Sequence, residues 1–205
     1  AFIDLQTGSG YVYNLDQRVY GASSFKGPVL IYGCQQALET GKTSISRVNS
    51  SAQDAIINSD NTSYYRMRNA FERSASKSLS AWLSSMNIST TLANDTSFPH
   101  YSARESLKLW MNAFLYLSSP DSNKEITEWA KKMFSGTAVS MIRSGVDPTS
   151  NSVSREKAES VAQELLGTLC TGKKTVEVGE AKKTKTSSAD ESATVYDKAG
   201  WINGS

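Results

Sequence analysis

The sequence predicts an α+β fold, on three observations. The first twenty residues are strand-like: apolar Ala1–Leu5, the turn residues Thr7-Gly8-Ser9-Gly10, then β-rich Tyr11-Val12-Tyr13, the pattern of a hairpin. From residue 21 to about 170, segments of helical periodicity alternate with capping and stop signals. Near the C-terminus, Val195-Tyr196-Asp197-Lys198 returns to strand composition. A chain of 205 residues fits one domain, 1–205, with strands in 1–20, a helical lobe in 21–170 and a strand in 193–205.

Composition narrows the function classes. Hydrophobic residues make up 39% and the mean hydropathy is −0.40, which fits a soluble domain with its own core. The net charge of +2 comes without a basic patch interleaved with aromatics, so no nucleic-acid partner is expected. No apolar run reaches about 18 residues, so no membrane span is expected. Cys34 and Cys170 are the only cysteines. They read as free thiols, and a disulfide stays open for an exported protein. With one histidine, His100, and no C-x-x-C pair, no metal and no cofactor are expected. His100 itself reads as a loop or packing residue. A monomer is expected.

The elements follow in order. Val19-Tyr20 lead into Gly21-Ala22-Ser23-Ser24-Phe25-Lys26, and an apolar helix runs from Ser23 to about Glu39 with Gly41 as its stop. Residues 43–51 read as polar connectors and Ala52–Asn58 as a short helix. Ser59-Asp60-Asn61 breaks the chain, and Thr62–Phe71 continues as helix with Tyr65, Met67 and Phe71 facing the core. Residues 94–101 read as a loop. Ser102-Ala103-Arg104-Glu105 is a capping box ahead of Leu107, Leu109 and Trp110. A further helix begins near Ser122-Asn123, turns Ile126, Trp129, Ala130 and Met133 inward, and ends at Gly136. Ala138–Ile142 continues the lobe to Gly145, Asp147–Asn151 is a turn, and Glu156–Leu166 is an amphipathic helix stopped by Gly167. Gly179–Ser192 is polar and lysine-rich, the composition of an exposed loop.

The chemistry centres on Ser23 and Lys26. Residues three apart on a helix share a face, and a serine hydroxyl becomes a nucleophile when a neighbouring base takes its proton. The S-x-x-K spacing recurs at Ser74/Lys77 and Ser154/Lys157, so spacing alone is weak evidence. Ser23 differs because it opens an apolar helix, and because Ser59-Asp60-Asn61 and then Lys198-Ala199-Gly200 follow it in order.

S-x-x-K, S-D-N and K-T-G together mark class A β-lactamases and penicillin-binding proteins. This chain resembles that family over most of residues 1–145 and again near 194–203. The resemblance extends to Phe2-Ile3-Asp4-Leu5-Gln6-Thr7-Gly8, to Leu38-Glu39-Thr40-Gly41-Lys42 and to Tyr101-Ser102-Ala103-Arg104-Glu105-Ser106-Leu107. It implies a β-lactamase/transpeptidase-like architecture, an antiparallel sheet packed against a larger helical lobe with the site between them. It also implies roles. Lys26 takes the Ser23 proton, Ser23 attacks, Ser59 relays a proton to the leaving nitrogen, and Asn61 holds Lys26 and the substrate amide. Lys198 pairs with the substrate carboxylate, Gly200 keeps the strand clear, and the backbone N–H groups of Ser23 and Trp201 form the oxyanion hole. The implied partner is a small β-lactam or a cell-wall peptide, and the implied location is extracytoplasmic, with any export signal outside this sequence.

Four departures qualify the likeness. Ala199 stands where the family has a threonine or serine, which removes a hydroxyl donor. No glutamate lies between Arg73 and Arg104, where class A enzymes carry the residue that activates the deacylating water, and Asp95 is the only acid in that loop. The interval from Ser23 to Ser59 is shorter than usual. The family continues past the lysine strand with two strands and a helix, whereas this sequence ends at Ser205. Three expectations therefore stand together: a β-lactamase-like hydrolase, a carboxypeptidase-like enzyme that deacylates β-lactams slowly, and a non-catalytic binding member.

Overall fold

A helix that is apolar on every side is stable only when other elements surround it, and such a helix forms the centre of this molecule. The computed structural model describes residues 1–4, 10–94 and 98–138, together with Ser160 and Gln163. Within them α1 spans Lys26–Gly33, and every one of its residues is buried. A 3₁₀ turn, Ala22–Phe25, precedes it and a π turn, Cys34–Leu38, follows it. The chain then turns at Gly41, whose φ of +68° is the left-handed conformation glycine adopts at low cost. The expected helix from Ser23 to about Glu39 is therefore present as one continuous coil of three pitches.

Around α1 pack α2 (Ile45–Ile56), α3 (Asn61–Ser74), α6 (Ala103–Ser118) and α7 (Lys124–Ser135), while α4 (Leu79–Ser85) and the short α5 (Thr91–Asn94) bridge α3 to the loop before α6. The core runs through Phe25, Leu30, Tyr32, Ile56, Tyr64, Phe71, Leu83, Leu109 and Phe134. Burying a side chain of this size stabilises by roughly 1.5–3 kcal/mol.

The strands form two antiparallel ribbons. β1 (Phe2–Ile3) pairs with β2 (Gly10–Tyr11), in the expected hairpin. β3 (Arg18–Tyr20) pairs with β4 (His100–Ser102), with Val19 opposite Tyr101. The fold is thus α+β, mostly helical, with small antiparallel ribbons among the described residues. None of the described helices is long and apolar enough to cross a membrane.

Several expectations change. Residues 94–101 are not wholly loop, because His100 and Tyr101 belong to β4 and complete a ribbon with β3. The polar connector proposed for 43–51 is mostly helix: α2 begins at Ile45 and turns Val48 and Ala52 inward while its polar residues face out. In α3 the buried tyrosine is Tyr64, fully enclosed, whereas Tyr65 is 36% exposed. Trp129 is only half-buried, although its neighbours Ile126, Ala130 and Met133 are buried as expected. Cys34 is a buried free thiol, and burial pushes its pKa up. The helix expected over Glu156–Leu166, the loop Gly179–Ser192 and Cys170 lie outside the described residues.

The capping box is present as expected. The Ser102 hydroxyl accepts from Glu105 N at 3.2 Å, and Glu105 Oε2 accepts from Ser102 N at 2.9 Å. Glu105 also meets Arg18 at 3.2 Å, so one residue ties β4, α6 and β3 together. Ser102→Ala is expected to destabilise the fold by about 1 kcal/mol, read as a lowered urea midpoint with an unchanged slope. An unaltered midpoint would mean that the box contributes nothing.

Candidate functional site

The 3₁₀ turn places Ser23 relative to Lys26. The Lys26 N–H bonds the Ser23 carbonyl, and in a turn of about three residues the side chains at i and i+3 eclipse. Ser23 and Lys26 therefore share one side of the turn. The serine keeps 7% of its surface exposed and the lysine none. Ala22, just before Ser23, holds φ at +44°. A non-glycine residue in that region stores about 1–3 kcal/mol of strain and persists only where the surroundings enforce it.

The Lys26 side chain reaches across to the break between α2 and α3. Its Nζ donates to the Ser59 carbonyl at 2.6 Å and to Asn61 Oδ1 at 2.7 Å, with Ser59 Oγ at 3.5 Å. These partners lie 33 and 35 residues further along the chain. Ser59 presents its carbonyl because its own backbone is left-handed, at φ +59°. Asp60 then caps α3: its Oδ1 accepts from Ser63 N at 2.6 Å. That backbone hydrogen bond, chiefly, holds the Asp60 carboxyl below the usual carboxylate range, and the charges of Lys26 and Arg66 add to the effect. Asp60 thus fixes the bend from which Ser59 and Asn61 reach the lysine.

Two aromatic rings complete the surroundings, and sequence reasoning missed both. The Tyr64 and Phe98 ring centres each lie 5.8 Å from Lys26 Nζ, within cation–π range. Burial pushes the Tyr64 phenol up to about 12, so it stays a neutral ring. Phe98 packs edge-on against Tyr20 at 5.9 Å. A signal for Tyr64 was present in the helical phase of α3, where it precedes Met67 and Phe71 by three and seven residues. Phe98 carried no local signal.

The structure thus brings Lys26, Ser59 and Asn61 into contact and sets Ser23 one turn from Lys26. Lys198, Ala199, Gly200 and Trp201 lie outside the described residues, as does Asp95. His100 lies on β4 and is exposed, with its ring 5.4 Å from that of Tyr20; the loop or packing role expected for it becomes a strand position.

Comparisons with protein-family models, with curated proteins and with solved structures gave no match.

The arrangement can do specific chemistry. A lysine amine acts as a base only when it carries a lone pair, that is, in its neutral form. Two neutral acceptors, Ser59 O and Asn61 Oδ1, each take an N–H from that amine and fix where it points.

Proposed function

We propose that this protein is a serine acyl-transfer enzyme of β-lactamase-like type, acting on β-lactams or related amides. One observation carries the reading: a lysine wholly withdrawn from solvent, fixed by Ser59 and Asn61, one tight turn after Ser23 in the chain. A lysine in that position serves no solvation purpose, whereas it suits a base for the serine. In the proposed step Lys26 accepts the Ser23 proton, and Ser23 Oγ bonds to the amide carbonyl carbon. The oxyanion collapses with cleavage of the C–N bond, and Ser59 passes a proton to the departing nitrogen. Lys198 is assigned to the substrate carboxylate and the Ser23 and Trp201 N–H groups to the oxyanion, on the motif resemblance alone. The antiparallel sheet packed against a helical lobe belongs to the same reading, as does an extracytoplasmic location.

The missing glutamate between Arg73 and Arg104 favours a slow-deacylating, penicillin-binding variant over a fast hydrolase, because no base of that kind is supplied to activate water. Incubation with a β-lactam followed by intact-mass measurement is expected to show one persistent adduct that maps to Ser23. An adduct that forms and clears with turnover would point instead to a fast β-lactamase. No adduct from several β-lactam classes would leave only a non-catalytic binding role.

A further inference from the structure

Beside the turn that carries Ser23 lies a concavity whose lining includes none of Ser23, Lys26, Ser59 and Asn61. It is an open cleft of about 480 Å³ between the β3–β4 ribbon, the start of α6 and the chain just after β2. That volume is in the range of small-ligand sites. Every side chain that lines it is uncharged, although charged residues make up 20% of the sequence. Nearby charges are satisfied by one another: Arg104 grips Asp16 at 2.6 and 3.1 Å, and Arg18 meets Glu105 at 3.2 Å.

The lining combines two kinds of group. Tyr13 is 70% exposed and Tyr20 43% exposed, so both rings present area to solvent. Tyr20 is held in place by edge contact with Phe98. The lining also carries hydrogen-bonding groups. Asn14 Nδ2 donates to Gln17 Oε1 at 3.2 Å, which leaves Asn14 Oδ1 as an acceptor and Gln17 Nε2 as a donor. The hydroxyls of Ser24 and Tyr101 bond one another and Ser24 Oγ donates to the Gly21 carbonyl, so the pair offers acceptor lone pairs. Flat rings with polar edges, neutral amides and hydroxyls, and no charge match a ligand with apolar C–H faces and a rim of hydroxyls.

We propose that this cleft binds a neutral oligosaccharide, whose sugar faces lie on Tyr13 and Tyr20 and whose hydroxyls meet Asn14, Gln17 and the Ser24–Tyr101 pair. The proposal stands on the cleft alone and does not depend on acyl transfer at Ser23. Titration calorimetry of the full chain with chitotetraose and with cellotetraose tests it, with tetragalacturonate as the anionic counterpart. At least one neutral tetramer is expected to bind saturably below about 10 mM. Tyr13→Ala, a change at an exposed position, is expected to weaken that binding by about tenfold, a change of ~1.4 kcal/mol. Ser23→Ala is expected to leave it intact, so loss of a β-lactam adduct and loss of sugar binding report on separate sites. The proposal is overturned by no saturable binding of either neutral tetramer, by equal affinity in Tyr13→Ala, or by tighter binding of tetragalacturonate.

Discussion

Lys26→Met is expected to slow adduct formation at Ser23 by about a thousandfold while leaving the protein folded. Methionine is one atom shorter but keeps most of the volume of the side chain, and it has no N–H donor and no lone pair basic enough to take the proton. General-base assistance contributes roughly 10²–10⁴-fold, and Ser23 has no other base on its own helical turn. Stability follows a different balance. A buried ammonium costs several kcal/mol of desolvation, against hydrogen bonds to Ser59 O and Asn61 Oδ1 that each return about 1.5–3 kcal/mol. The two sides nearly cancel, so the thermal midpoint is expected to hold or to rise as acylation is lost, the behaviour of a residue retained for chemistry rather than for packing. Intact-mass time courses beside thermal melts measure both. Acylation at the unmodified rate would remove Lys26 from the mechanism. A midpoint lowered by many degrees with no adduct from folded protein would assign it a structural role.

The sequence made parts of this arrangement legible and hid others, for physical reasons that differ by residue. Ser23, Lys26, Ser59 and Asn61 could be singled out because their order and spacing matched a motif set, and local chemistry already favoured a break at Ser59-Asp60-Asn61. Helix ends were legible for the same reason: Gly41, Gly136 and the Ser102/Glu105 box act through their own backbone and near neighbours. β4 was not legible. Its partner β3 lies some eighty residues earlier, and a three-residue strand after Pro99 has no periodicity to detect. The start of α2 was hidden because only one residue in four of its first turns is buried. Tyr64 and Tyr65 are adjacent, so the choice between them rests on a rotation of about 100° around the helix axis, set by what α3 packs against. The approach of Phe98 to Lys26 depends on the loop being drawn in by the β3–β4 ribbon, which no local pattern encodes.

Gly33→Ala is expected to destabilise the fold despite replacing the poorer helix former. Propensity alone would favour alanine by about 1 kcal/mol. At this position, however, a Cβ would stand 2.2 Å from Phe71 Cδ2, 2.3 Å from Cε2 and 2.4 Å from Cγ. Phe71 is itself fully buried, so its ring has no solvent side to swing into, and α1 and α3 would have to separate. Overpacking of this kind costs about 1–3 kcal/mol and sometimes more, which exceeds the propensity gain. A midpoint lower by several degrees is expected, at roughly 2–4 °C per kcal/mol for a chain of this size. Gly27→Ala gives a graded comparison: its Cβ would meet the Trp110 ring at 2.7 Å, but that ring is only half-buried and can yield. Phe71→Leu is expected to relieve Gly33→Ala, so the double variant should lose less than the sum of the two single changes. A Gly33→Ala protein as stable as the parent would show that α1 and α3 are not held at this separation. The helix spacing matters beyond stability, because α3 begins at Asn61, which holds the Lys26 amine. A wedge at Gly33 bears on the same helix pair that sets that contact, so Gly33→Ala should slow acylation as well as lower the midpoint, whereas Lys26→Met should separate the two.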